Sequence, residues 1–377
     1  MPKINVARLV EIGKPFEVGT ADKPTPGPND VLVNVEACCL VPNPSNIVSG
    51  GADSDVFILP QLPAVFGLDA AGVVEAVGER VLNIKAGDRV YMDPHLTCET
   101  CHQCRRGRTD NCENTCLRAY FAMCPGGVKM LTHYPLGALS EYLLSPDVNI
   151  AKLPDSIDLA TASRFGYIGT SFGGLKTAQI QPGKTLLING VTGTLGYAAV
   201  AIALGLGCTR ILGIGRNKER LAELENLCHK GRVRTICSED GGIDAVTKRV
   251  SEQTNGLGPD ALYDCLGNGG DADTTSRLVG TVKRGGIAVL AAGGAEGEIR
   301  QTYLEAMSRD VAILGTMWFT SAEVDELIAL IDAGVIDFSF LRHEFFPLKK
   351  VNEAFEMVGN RPGGAFNVVV QPSKLDD

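Results

Sequence analysis

Between Thr185 and Gly207 the chain reads TLLINGVTGTLGYAAVAIALGLG: an apolar strand, three glycines at intervals of three (Gly190, Gly193, Gly196), then an apolar helix. With no side chains at the glycines, the backbone can turn sharply, approach a pyrophosphate closely and seat the helix against the strand. The positive end of the helix then faces the anion. A glycine triplet by itself is a weak signal. Its context strengthens it, because a second strand at 210–214 and a second helix at 218–228 follow at the distance of a βαβ unit. Strand-like runs at 261–265, 287–291 and 311–314 then alternate with helical segments, as a doubly wound parallel sheet requires. A dinucleotide is the expected ligand; the competing possibility is an α/β sheet whose glycine turn holds none.

In such folds a carboxylate about twenty residues past the glycines takes the ribose 2′-hydroxyl of NAD. Here the second strand ends Ile214-Gly215-Arg216-Asn217-Lys218, with Gly215 at the expected acidic position. A missing anion followed by a guanidinium suits the 2′-phosphate of NADP(H), which Arg216 and Lys218 are expected to meet. Gly190, Gly193, Thr194, Leu195 and Gly196 are placed at the pyrophosphate. Cys265-Leu266-Gly267 and Ala292-Gly293, which end later strands, are placed near the nicotinamide, because open sheets bind ligands at the carboxyl edge of their strands.

Four of the twelve cysteines, Cys98, Cys101, Cys104 and Cys112, follow the pattern C-x2-C-x2-C-x7-C. That spacing predicts one zinc held by four thiolates, a closed shell with no position for water or substrate, and therefore a structural ion. A disulfide framework would need an oxidising compartment, and the opening MPKINVARLV lacks the pattern of a secretory signal. A reducing cytoplasm fits the other eight cysteines as small buried hydrophobes. The net charge is −9 without a run of Lys or Arg, which argues against nucleic acid as a partner. Arg105, Arg106 and Arg108 read as the solvated rim of the cysteine loop. The longest apolar stretch, 197–207, is too short to span a bilayer, so no membrane partner is expected.

At 377 residues the chain exceeds what one core usually serves, and two domains are expected. The first part reads as β-rich: Val31, Val33 and Val35 alternate, an apolar run covers 70–77, and a turn at 86–88 precedes Arg89-Val90-Tyr91-Met92. After Gly315 a helix at 322–333, a strand at 343–347, a helix at 351–358 and a last strand Phe366–Gln371 are predicted to return to that first part.

This arrangement resembles the medium-chain dehydrogenase/reductase superfamily, the zinc-containing alcohol dehydrogenases among them. Besides the cysteines and the glycine turn, the resemblance rests on GLDAAGVVEAVG at 67–78, AGDRV at 86–90, GALSEY at 137–142 and QPG at 181–183, and it covers nearly the whole chain. It implies an α/β doubly wound parallel Rossmann sheet at 164–315. The rest, 1–163 and 316–377, would be a β-rich, barrel-like GroES-like domain with its zinc lobe at about 94–116. It also implies a homodimer or homotetramer formed through edge strands of the cofactor domain, for which the apolar run 287–292 is suited.

The chain departs from the family pattern at a second, catalytic zinc. Leu68 stands where that site has His, Asp69 where it has Glu, Val41 where it has Cys (with Cys39 two residues early), and Phe165 at the third ligand. The stretch Asn43-Pro44-Ser45-Asn46 looks like the zinc-free quinone-reductase branch. Hydride delivered to an isolated ketone leaves a strongly basic alkoxide, which zinc would stabilise; hydride delivered to a conjugated C=C leaves a much less basic enolate that hydrogen bonds can hold. The expectation is therefore NADPH-dependent reduction of a C=C bond polarised by a carbonyl or iminium group, on a small-molecule substrate. A zinc-independent carbonyl reductase or alcohol dehydrogenase is the alternative, and a non-catalytic NADPH-binding protein a second one.

Tyr167 and Ser45 are the candidate proton donors or oxyanion partners, with Tyr120, His95 and His133 behind them. The substrate pocket is expected along 39–58, Leu96, 120–131 and Met317-Trp318-Phe319.

Overall fold

The computed structural model describes residues 2–50, 57–227, 231–267, 269–293 and 295–376; the side chains at 43–46 and 227 lie outside that description. Six parallel strands form one sheet, in the spatial order Val233–Cys237, Arg210–Gly215, Thr185–Asn189, Ala261–Asp264, Ile287–Leu290 and Ala312–Gly315. Strand order therefore reverses beside Thr185–Asn189, which is the switch point of a doubly wound sheet. Both faces of its centre are covered, so the inner strands read as continuous apolar runs: Leu186, Leu187, Ile188, Ala261, Leu262 and Tyr263 are all fully buried.

The helix Thr194–Gly205 follows the first strand and packs on Phe165–Thr177, the helix that enters this part of the molecule. Ten of the thirteen residues of Phe165–Thr177 are buried, which makes it an interior strut that fixes where Tyr167 emerges.

A second, mixed sheet runs Ile150–Lys152, Arg89–Met92, Asp69–Val77, Asp30–Leu40, Phe366–Gln371, Arg342–Pro347, with Tyr142–Pro146 also pairing Asp30–Leu40. Register shifts at Leu32/Val33 and Val35/Ala37 bend the long strand Asp30–Leu40 so that the sheet curls over its own core of Val6, Val31, Val33, Val35, Val74 and Val90. The chain's last strand inserts antiparallel to 38–40 and parallel to Arg342–Pro347, and so joins the two ends of the sequence in one sheet. The cysteine lobe projects on short strands His95–Leu96, Cys116–Leu117 and Phe121–Ala122, followed by the helix Pro125–His133.

One expectation is revised, and one element was not foreseen. The run 287–292 is not an edge: Ile287–Leu290 lies between two neighbours, and the edge strands are Val233–Cys237 and Ala312–Gly315, the latter with all four residues exposed. The segment after Leu40 forms a helix, Pro42–Gly50. Among the described residues no helix is long and apolar enough to cross a membrane.

Candidate functional site

A cleft of about 640 Å³ opens at the carboxyl edge of the parallel sheet, at the switch point between Asn189 and Asp264. The two strand ends are tied together there: Asn189 Nδ2 donates to Asp264 Oδ2 at 3.0 Å, Thr275 donates to the same oxygen at 2.7 Å, and the Leu266 amide donates to Oδ1 at 3.0 Å. Gly190, Gly193, Thr194 and Leu195 form the floor. Gly193 is the N-cap of Thr194–Gly205 and brings no capping side chain, so the first amides of that helix are left for an anion. Gly196 does not line the cleft. A Cβ there would lie 2.5 Å from the Val191 backbone, so this glycine serves the packing of the helix on the turn.

Gly215 and the exposed Arg216 line one end of the cleft, with Arg220, Arg361, Ser238 and Glu239. A Cβ on Gly215 would meet Leu221 at 3.0 Å and Thr192 at 3.2 Å, which leaves little room for an acidic side chain at that position. Lys218 faces elsewhere: its ammonium pairs with Asp240 at 2.6 Å and it is absent from the lining. Cys265, Leu266, Gly267 and Ala292 line the other end, while Gly293 falls just outside.

Leu40, Val41, Pro42 and Tyr167 also line the cleft, and Arg164 lines it close to Thr194, at the start of the helix that leaves the glycine turn. Tyr167 is half-buried, and burial pushes its hydroxyl well above the ordinary phenol range, so it is a neutral donor. Ser45 belongs to the helix Pro42–Gly50, but its side chain lies outside the described residues. The other candidates do not line the cleft, although Tyr120 lies close enough to Tyr167 to raise its hydroxyl further. Tyr120 is buried against Phe121, His133 is exposed at a helix end beside Tyr134, and His95 is buried with Nε2 at 2.6 Å from the Thr115 hydroxyl. Burial brings the His95 imidazole down to about 4. Leu96, Trp318 and Phe319, expected in the pocket, are buried packing residues instead.

At the positions where the family resemblance expects ligands to a catalytic metal, the side chains are apolar and buried: Val41, Leu68 and Phe165. The Cys39 thiol donates to Asn367 Oδ1 at 3.0 Å, and burial pushes it up to about 12, so it is not a thiolate. Asp69 Oδ1 accepts from the Tyr91 hydroxyl at 2.9 Å and the Gly166 amide at 3.0 Å, whereas its Oδ2 has no partner among the described residues. This donor set does not fit a three-ligand zinc.

The cysteine lobe does fit one. The sulfurs of Cys98, Cys101, Cys104 and Cys112 all lie within 4.8 Å of one another, as a tetrahedral ion requires. Backbone amides already point at them: Cys101 N reaches the Cys98 sulfur at 3.4 Å, and Asn114 N reaches the Cys112 sulfur at 3.3 Å. Burial opposes the Cys98 thiolate, yet amide donation from Thr100 and Cys101 brings the thiol down to about 6.

Several residues of the interior went unread in the sequence. Asp93 accepts from the His95 amide at 2.9 Å and from Trp318 Nε1 at 3.0 Å; Arg118 donates to the carbonyls of Leu144 and Asp93; Arg164 donates to those of Gly364 and Phe366. Most of these partners lie tens to hundreds of residues away, so no local spacing marks them. Arg220 and Arg361 escaped for the same reason, although Arg220 sits only four residues past Arg216.

Residues 27–155 match the family of alcohol dehydrogenase GroES-like domains, and residues 194–333 match the zinc-binding dehydrogenase family. L-idonate 5-dehydrogenase of Vitis vinifera is 27% identical over 355 residues, covering 92% of this chain and 89% of that one. D-xylulose reductase A of Aspergillus niger is 25% identical over 340 residues, covering 89% of each. Alcohol dehydrogenase TADH from Thermus sp. ATN1 superposes with a TM-score of 0.83 at 25% identity, covering 97% of this chain and 99% of that one. A Sinorhizobium meliloti chain described as a zinc-binding dehydrogenase bound to NADP shares the fold with a TM-score of 0.82 at 21% identity, covering 99% and 100%. Both parts of the molecule thus match domains of one kind of enzyme in their usual order, and the chain belongs to the medium-chain dehydrogenase/reductase superfamily as an oxidoreductase of the zinc-binding dehydrogenase type.

Proposed function

We propose that this protein is an NADPH-dependent reductase of C=C bonds conjugated to a carbonyl or iminium group, with one structural zinc and no catalytic one. The observation that carries this is the apolar, buried set Val41, Leu68 and Phe165 at the positions where a catalytic zinc would need ligands. Bound NADPH supplies the hydride. The chain's own part is to hold the substrate against the nicotinamide end of the cleft and to stabilise the enolate by hydrogen bonding until water or a side chain delivers the proton to its α-carbon. Tyr167, a neutral phenol in the cleft wall, is suited to donate to the enolate oxygen; Ser45 is the second candidate.

Ketone reduction without zinc is the alternative, favoured by the names of the relatives, a xylulose reductase and an idonate dehydrogenase. A substrate panel separates the two. NADPH consumption with enones and not with saturated ketones or ketoses is the expected result, and the reverse preference overturns it. With an active enone, Tyr167→Phe should lower turnover about 100-fold with little change in the KM for NADPH; unchanged turnover removes Tyr167 from the role. NADPH bound tightly but never oxidised across the panel would leave a non-catalytic binder.

The exposed edge strand Ala312–Gly315, with Ile313 and Leu314 on it and Tyr303, Leu304 and Met307 exposed on the helix just before it, supports a homodimer formed by edge pairing, alone or within a homotetramer.

A further inference from the structure

Two arginines lie in the interior, and they differ in what compensates their charge. Arg118 is 1% exposed, and its chief electrostatic support comes from Asp93, whose carbonyl it also binds at 3.1 Å. Arg164 is 2% exposed and donates to the Gly364 carbonyl at 2.7 Å and to the Phe366 carbonyl, but among the described residues no carboxylate lies within ion-pair distance of it. The groups that would help it by ionising are Cys39 and Tyr167, and burial holds both in their neutral forms. A buried cation paired only with carbonyl dipoles is costly, and an anion placed beside it would relieve that cost.

The location identifies the anion. Arg164 forms part of the cleft wall with Val41, Pro42 and Tyr167, and a small recess places it beside Thr194 and Tyr197 at the start of the helix that leaves the glycine turn. Its partner Gly364 rests on that turn: the Gly364 amide donates to the Thr192 carbonyl at 3.0 Å, and a Cβ on Gly364 would stand 2.3 Å from the Gly193 oxygen. The guanidinium and the free amides of the helix N-terminus therefore border the same part of the cleft. A guanidinium carries five donors in a planar fork suited to phosphate oxygens, more than its two carbonyl partners need.

We propose that Arg164 is the buried counter-cation of the cofactor's diphosphate, binding it from the wall that adjoins the glycine turn; this rests on the dinucleotide reading of the cleft. The cationic rim at Arg216 and Arg220 would hold the adenosine end, and Arg164 the bridge between the two halves of the cofactor.

The test is calorimetric titration of the full chain and of Arg164→Met with NADPH and with 2′-AMP, which keeps the 2′-phosphate and lacks the diphosphate. The dissociation constant for NADPH should rise roughly 10- to 100-fold in the variant, the scale of a lost charged hydrogen bond, while that for 2′-AMP stays the same. Unchanged NADPH affinity overturns the proposal. Equal loss for both ligands also overturns it, because Arg164 would then only brace the wall. If the unaltered protein binds neither NADPH nor NADH, the dinucleotide reading itself fails. Should Arg164→Met not fold, hydrogen exchange on the unaltered protein decides: inorganic pyrophosphate should slow exchange at 194–196 and 364–366, and absence of protection there overturns the proposal.

Discussion

Asp69 shows how far one residue's chemistry is set by burial. Its carboxyl is enclosed, and burial pushes its pKa up to about 7 against the opposing hydrogen bond from Tyr91, with Asp93 adding repulsion. An unfolded aspartate releases its proton near pH 4. Between about pH 4 and 7 the folded chain thus keeps a proton that the unfolded chain has lost, so this group's contribution to stability declines as pH rises through that window and is level above it. Asp69→Asn cannot ionise and should gain stability relative to the unaltered protein between pH 5 and 8 in urea titrations; a difference independent of pH would mean that Asp69 is charged throughout. In the cleft itself, Arg216→Ala should raise the KM for NADPH roughly 10-fold or more and leave that for NADH nearly unchanged, since only the 2′-phosphate is lost as a partner. Equal effects would place Arg216 merely on the rim. Residues defined by short spacing, such as Gly193 and Cys104, were legible in the sequence. Asp69 was noticed only as a departure from a family pattern, and Arg164 not at all, because its partners Gly364 and Phe366 lie some 200 residues away.

Among the elements, the cysteine lobe depends most on a ligand. Its strands are two residues long, and the stretch between Cys98 and Cys112 contains only two short 3₁₀ turns, so four metal–sulfur bonds would supply order that hydrogen bonding does not. Elemental mass spectrometry should find one zinc per chain. Stripping it with a chelator should open the lobe to proteolysis and leave NADPH binding in place; two zincs per chain would mean that a catalytic site has been rebuilt from other residues. The strand, glycine turn and helix were legible because every interaction that shapes them is local. The helix Pro42–Gly50 was not: two prolines and a terminal glycine argue against a helix, and it forms because Pro42 and Pro44 fall in the first turn, where their missing amides have no partner to lose.

At the scale of the whole molecule, the parallel sheet could be anticipated from its alternating pattern, whereas the position of its edge could not. Hydropathy does not separate the candidates, since 287–290 reads Ile-Ala-Val-Leu and 311–314 reads Val-Ala-Ile-Leu, and only the pairing shows that the first is interior. Ala312–Gly315 is the edge with all its residues exposed, and Ile313→Lys should convert the proposed dimer to a monomer in size-exclusion chromatography with light scattering. A variant that stays dimeric would move the interface elsewhere.

The closure of the curled sheet by Phe366–Gln371 has a consequence for biosynthesis. A ribosome finishes the parallel sheet long before it delivers residues 363–366, the segment that rests on the glycine turn and engages Arg164. The cofactor cleft is therefore unfinished until residues 363–371 have been made. A nascent chain halted at about residue 360 would expose the bare edge of Asp30–Leu40 and lack one wall of the cleft. Termination before residue 363 thus yields a product with an aggregation-prone edge and an incomplete cleft.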